Sequence, residues 1–159
     1  PEGDITVVEF IDYRCGYCRK AHGEVAELVS GDGNIRFIVK EFPILGEDSV
    51  QASRFAIATL KLHGAEGYKA AHDTLINLRS DVNDAALRKL AEGLGFDADP
   101  ILEKMKSEEV TSVIAANRAL GQQLQINGTP TFVIQNEMVR GYVPLDGMQQ
   151  IVEELRQAG

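Results

Sequence analysis

The sequence predicts an α/β fold in which a β-α-β unit and a β-β-α unit enclose a purely helical block. Three observations predict it. A short, nearly continuous run of β-branched and aromatic residues, Thr6 to Asp12, leads within two residues into a helix-opening segment. The middle of the chain, from about Asp48 to Leu124, is rich in Ala, Leu, Lys and Glu and contains no strand-like stretch. After Gln125 the pattern returns to two short strands and an amphipathic helix.

Each element has its own signal. Thr-Val-Val-Glu-Phe-Ile-Asp is apolar on both faces, the pattern of a central strand covered on both sides. From Cys18 to Val29 the apolar positions Ala21, Val25, Leu28 and Val29 recur at helical spacing, and Gly31-Asp32-Gly33-Asn34 stops that helix. Ile35 to Phe42 is a second strand, closed by Pro43. A crossover of this length implies parallel strands and a right-handed connection. In the middle, Ser49 to Leu62, Tyr68 to Leu78, Asp84 to Leu94 (opened by an acidic cap), Pro100 to Met105 and Val110 to Leu124 read as four or five helices. Asn127-Gly128-Thr129-Pro130 is a loop, Thr131 to Gln135 a strand, and Met138 to Tyr142 its hairpin partner, turned at Asn136-Glu137. Leu145 to Gln157 closes the chain as a helix with Met148, Ile151, Val152 and Leu155 on one face.

The length of 159 residues suits one domain. Residues 1–46 and 125–159 are expected to form the α/β core, and residues 47–124 the helical insertion. With 44% hydrophobic and 25% charged residues the chain has the composition of an ordinary globular protein. Such a chain buries a core without covalent staples, so its two cysteines are not needed for stability. A net charge of −8 argues against nucleic acid as a partner, since phosphate binding needs a clustered basic surface. No apolar run approaches the about 20 residues that span a bilayer, so membrane insertion is not expected. No charged segment followed by an apolar stretch opens the sequence, and no segment of these residues reads as an oligomerisation element, so a monomer is expected.

The chemistry is carried by Cys15-Gly16-Tyr17-Cys18. A two-residue gap lets both sulfurs sit in the first turn of a helix. A disulfide there closes a very small loop and gains little from loop entropy, so the pair is better suited to switching than to stapling. The helix N-terminus favours negative charge through its dipole and free N–H groups. That stabilises a Cys15 thiolate, the form that attacks disulfides. A low thiolate pKa also makes Cys15 a good leaving group when a thiol attacks the partner sulfur of a mixed disulfide, and Cys18 is the resolving thiol. Gly16 gives freedom at the tight turn, and Tyr17 places an aromatic ring beside the sulfurs. Arg19 occupies the position where a c-type haem site needs histidine. A metal-binding module remains as an alternative, with Cu(I) or Zn held by Cys15 and Cys18 and, for zinc, His22. So does a holdase using apolar surface alone. A protonated His22, one turn beyond Cys18, would also favour thiolate, although a surface histidine is the commoner case. Arg14 and Arg19 flank the motif and read as solvated surface residues; Met138 and Met148 read as core positions.

At these residues the chain resembles the DsbA family of bacterial envelope thiol–disulfide oxidoreductases, within the thioredoxin superfamily. Val8-Glu9-Phe10-Ile11-Asp12-Tyr13-Arg14-Cys15-Gly16-Tyr17-Cys18 resembles that family's strand and active-site segment. Lys40-Glu41-Phe42-Pro43-Ile44-Leu45-Gly46 resembles its second strand and the loop that leaves it. Gly128-Thr129-Pro130-Thr131-Phe132 resembles its cis-proline loop, and Gly141-Tyr142 fits the segment before the last helix. The resemblance covers nearly the whole chain and is strongest toward the Com1/ScsC-like branch.

The resemblance implies a thioredoxin-like fold with a helical insertion. It implies that Pro130 follows a cis peptide bond facing the cysteine pair and leaves backbone groups of Thr129 free for an extended substrate peptide; the plain alternative is a trans proline opening an edge strand. It implies that Glu9, if buried, moves protons to and from the resolving cysteine, with a pKa raised by burial. Lys40 is a candidate ionic partner for Glu9 across neighbouring strands. It further implies no cofactor beyond the redox-active disulfide itself, a periplasmic location, cysteine-containing exported proteins as substrates, and a DsbB- or DsbD-like membrane redox partner. The expected direction is oxidation. The alternative is an isomerase or reductase of the ScsC type, because Gly-Tyr replaces the family oxidases' Pro-His and Thr129 precedes the proline.

Overall fold

The structure, a computed structural model, describes residues 2–159. Strand β1 (Ile5–Ile11) is followed by helix α1 (Gly16–Asp32), β2 (Ile35–Glu41), α2 (Glu47–Leu75), α3 (Asp84–Gly93), α4 (Ala98–Lys104), α5 (Glu108–Gln123), β3 (Thr131–Ile134), β4 (Glu137–Arg140) and α6 (Leu145–Ala158). The four strands form one sheet in the order β2-β1-β3-β4. β1 pairs in parallel with β2, and β3 runs antiparallel to both β1 and β4.

β1 is a central strand, which explains its apolar character on both faces. On one face Ile5 and Val7 pack with Ala21, Val25 and Leu28 of α1 and with Met148 and Val152 of α6. On the other face Phe10 meets Phe42 edge-on, with ring centroids 5.6 Å apart, and Ile126 joins them. A further core unites α2 to α5 through Phe55, Leu87, Ile101, Val110 and Ile114. That core also contains Ile11, Tyr13, Cys15 and Cys18, so the cysteine pair lies where the sheet meets the helical block.

Several boundaries differ from the sequence expectation for identifiable reasons. Helix α1 continues through Gly31 and Asp32 and stops at Gly33, whose left-handed φ of 75° lets its N–H return to the Val29 carbonyl. The two amphipathic stretches expected around residues 49–78 are the halves of α2, which breaks at Gly64 (φ 76°, ψ −168°). The cap of α3 is Asn83, whose side chain accepts from Ala86 N–H at 2.8 Å, and not the acid beside it. The β3–β4 turn is made at Gln135 (φ 55°) and Asn136, so Glu137 already belongs to β4. Met148 is buried as expected, while Met138 is only partly buried against the Phe10 cluster. Arg156 of α6 forms ion pairs with Asp4 and Asp32, both at 2.8 Å, which tie the last helix to the start of β1 and the end of α1. Among the described residues no helix is long and apolar enough to cross a membrane.

Candidate redox site

The site begins where β1 ends. Asp12 is fully buried, and its carboxylate accepts from the N–H groups of Arg14 (2.8 Å), Ile44 (2.8 Å) and Leu45 (3.0 Å) and from the Ser49 hydroxyl (2.7 Å). Its carbonyl accepts from Cys15 N–H at 3.1 Å. One acid therefore fixes the turn that delivers Cys15, the loop leaving β2 and the first turn of α2. Sequence reasoning read Asp12 only as the end of a strand. An ionisable residue closing an otherwise apolar strand was the signal available.

Cys15 is the N-cap of α1 and 8% exposed, whereas Cys18, in the first turn, is 1% exposed. Both are free thiols. The Cys18 thiol hydrogen-bonds to the Cys15 sulfur and is the largest influence lowering the Cys15 pKa. Burial opposes it; Thr129 and the N–H groups of Cys18 and Tyr17 add to it, and the result is about 5. The same hydrogen bond, together with burial, holds Cys18 far above the usual thiol range. Both are buried, and the pair is split into a slightly less enclosed sulfur that ionises readily and a more enclosed one that keeps its proton.

The Thr129–Pro130 peptide bond is cis. This loop presents the Thr129 carbonyl to the Cys15 thiol, with Sγ to O at 3.1 Å. Pro130 is buried, Thr129 half-buried, and the loop is held by Gly141 N–H on the Pro130 carbonyl (2.8 Å) and by the Thr131 hydroxyl on the Gly128 carbonyl (2.8 Å). Glu9 is 4% exposed, and burial first, then the charge of Cys15, pushes its pKa up to about 8. Cys15, Cys18, Glu9, Thr129 and Pro130 are therefore gathered at one end of the sheet.

The remaining candidates fall elsewhere. In the β1–β2 register Glu9 lies beside Val39, and Lys40 lies beside Phe10. Side chains alternate along a strand, so Lys40 occupies the opposite face and is not the ionic partner of Glu9. Gly16 is the first residue of α1 and makes no tight turn; a Cβ there would meet nothing within 4 Å, so the space beside it is open. Tyr17 is 62% exposed and stacks on Tyr142, with ring centroids 6.3 Å apart. His22 faces Asp73, Nε2 to Oδ1 3.1 Å, and its ring lies 5.3 Å from that of His72. Arg14 and Arg19 are not simply solvated: Arg14 donates to the carbonyls of Leu78 (3.2 Å) and Ser80 (2.9 Å), and Arg19 to that of Ile76 (2.9 Å), anchoring the chain that leaves α2.

A second buried acid was missed. Glu41, at the end of β2, accepts from the hydroxyls of Tyr13 (2.7 Å), Tyr68 and Ser53 (2.7 Å). Burial raises its pKa to about 7 against those hydrogen bonds.

Comparison with known proteins bears on this arrangement. The profile of the DSBA-like thioredoxin domain matches residues 6–153. A thioredoxin-like oxidoreductase from Silicibacter pomeroyi DSS-3 is 41% identical with a TM-score of 0.92, over 100% of this chain and 90% of that one. The thiol-disulfide exchange protein α-DsbA2 from Wolbachia pipientis is 27% identical with a TM-score of 0.89, over 96% of this chain and 82% of that one. The sequence is also 27% identical over 152 residues to Na(+)/H(+) antiporter NhaA 1 of Salinispora arenicola (strain CNS-205), a match that spans 95% of this chain and 23% of the antiporter's length. With the profile covering nearly the whole chain, and two cysteines side by side at the head of a helix, the protein belongs to the DSBA-like thioredoxin domain family of thiol–disulfide oxidoreductases.

Proposed function

We propose that the protein oxidises cysteine pairs of exported proteins in the periplasm, using Cys15 and Cys18 as its only redox group. The observation that supports this most is the unequal pair: Cys15 ionises at about 5 while Cys18 holds its proton far above the usual range. A stabilised thiolate stabilises the reduced form, which makes the disulfide form the stronger oxidant. The Cys15 value lies between the about 7 of thioredoxin and the about 3.5 of DsbA.

The exchange balances as follows. A substrate thiolate attacks Cys15 Sγ of the Cys15–Cys18 disulfide; the S–S bond breaks, and the electron pair goes to Cys18. Cys18 then takes a proton, and Glu9, protonated below about 8, is the proposed donor. The second substrate thiolate attacks the substrate sulfur of the mixed disulfide and expels Cys15 as a thiolate. The substrate leaves oxidised and the protein reduced by two electrons, which a DsbB-like membrane partner would remove. Thr129 in the cis-Pro130 loop would align an extended substrate peptide beside Cys15.

The test is to equilibrate the protein in glutathione buffers, measure the Cys15–Cys18 potential, and assay refolding of both a reduced and a scrambled substrate. A potential well above about −270 mV, with oxidation of the reduced substrate, is expected. A potential near about −270 mV excludes the oxidase role. Rescue of the scrambled substrate without net oxidation assigns isomerisation instead. Failure to cycle, with metal retained by the two thiols, assigns the metal-binding alternative.

A further inference from the structure

We propose that Glu41 is a second proton-holding carboxyl of the redox centre, a positioning residue loaded through the Tyr13 hydroxyl and the His72 imidazole. The inference rests on the thiol–disulfide exchange reading.

The geometry is a continuous file of hydrogen bonds. Tyr13 lies two residues before Cys15; its hydroxyl is 2.7 Å from Glu41 Oε2 and 2.8 Å from His72 Nδ1. A tyrosine hydroxyl has one hydrogen, so it donates to only one of them at a time. With Glu41 ionised, Tyr13 and Tyr68 donate to Oε2, Ser53 donates to Oε1, and His72 Nδ1–H donates to the Tyr13 oxygen. When a proton enters at His72 Nε2, the Nδ1 hydrogen passes to Tyr13 and the Tyr13 hydrogen passes to Glu41. One proton is taken up, Glu41 becomes neutral, and His72 remains neutral in its other tautomer. His72 suits this role because burial lowers its pKa to about 4, so it passes a proton without keeping it. Its outer side faces His22 of α1, with Asp73 and Lys69 of α2 nearby.

Glu41 also shares a sheet face with Glu9. Ile11 is its register partner and Glu9 lies beside Val39, so Glu9 and Glu41 project from the same sheet face on neighbouring strands. Tyr68 links them, bonded to Glu41 and within the field of Glu9. The other groups facing Glu41 are Asp12 at the end of β1 and, on its main-chain carbonyl, Asn117 of α5 at 2.9 Å. Asp12 is the charge that acts on it, and burial, the largest influence, raises its pKa to about 7. An ionised Glu41 opposes ionisation of Glu9, and a protonated one permits it.

The experiment records two signals against pH: the rate of exchange with a small disulfide, and the carboxyl infrared bands of the reduced protein, which need no turnover. In the wild type two carboxyl transitions are expected above that of Cys15. Glu41→Gln should abolish the one near about 7 and move that of Glu9 to lower pH. Rate profiles and bands superimposable on wild type overturn the proposal while leaving the exchange reading intact. A wild-type protein that does not cycle removes both. If Glu41→Gln fails to fold, Tyr13→Phe serves: losing one donor to the carboxylate raises the Glu41 transition, and an unmoved transition overturns the proposal.

Discussion

The Cys15 sulfur lies 3.1 Å from the carbonyl oxygen of Thr129. A carbonyl accepts from a thiol and offers nothing to a thiolate, so this contact belongs to the protonated state. The anion is supported instead by the Cys18 thiol, by the Thr129 side chain and by the N–H groups at the start of α1. The contact with the Thr129 carbonyl is therefore made in one protonation state and weakened in the other.

Cys18→Ala removes the largest stabilising influence on the Cys15 anion. The thiolate absorbance at 240 nm should titrate near about 5 in the wild type. In the variant the midpoint should rise by roughly one unit or more, the worth of a hydrogen bond to a charged group. An unchanged midpoint would assign the acidity of Cys15 to the helix terminus alone.

Serine variants separate the two sulfurs. Cys15→Ser should lose exchange entirely, because the remaining thiol is enclosed and holds its proton. Cys18→Ser should accumulate a mixed disulfide with substrate at Cys15, visible as a covalent adduct by mass spectrometry. Adducts forming equally on either single-serine variant would contradict the assignment of roles.

Glu9→Gln should trade rate for stability. The folded pKa of Glu9, about 8, lies above its ordinary 4.5. Its contribution is therefore intact below 4.5 and is lost as pH rises through about 8. Gln carries no such loss, so the variant should match wild type at pH 4 and gain roughly 1–4 kcal/mol in denaturant unfolding at pH 9. Resolution by Cys18 should slow, because the proposed proton carrier is gone. Identical unfolding curves at both pH values would show that Glu9 ionises freely in the folded protein.

Asp12→Ala leaves two loop N–H groups, the Arg14 N–H and a serine hydroxyl without their common acceptor. A loss of roughly 3–5 kcal/mol in denaturant unfolding is expected, from several unsatisfied buried donors. Asp12→Asn keeps one acceptor oxygen and should cost less. A loss below about 1 kcal/mol for the alanine variant would mean that water replaces the carboxylate.

The sequence showed what local physics specifies. β1 was legible because a strand covered on both faces must be apolar throughout, and the cysteine spacing was legible because one helical turn sets it. The four helices between β2 and β3 declared themselves by periodicity, and the two stretches read on either side of Gly64 are the halves of one of them, α2. The polar interior was not legible. Glu41 meets Tyr13 from the turn after β1 and Ser53 and Tyr68 from the two halves of α2, and His72 reaches Tyr13 across 59 positions. Pairings of that kind depend on how α2 crosses the sheet, which no local pattern encodes. Lys40 failed as a partner for Glu9 for the complementary reason: one step of register decides the face, and register is a property of the assembled sheet.

Helix α1 belongs to two cores at once. Its first turn, with Cys18, joins the core of α2 to α5, while Ala21, Val25 and Leu28 join that of β1 and α6. Closing the disulfide pulls only on the first turn. Slow amide exchange should therefore respond to redox state in the helical block near Tyr13 and Phe55 and stay constant under α6, so that each change in the sulfurs is transmitted to half of the molecule and withheld from the rest.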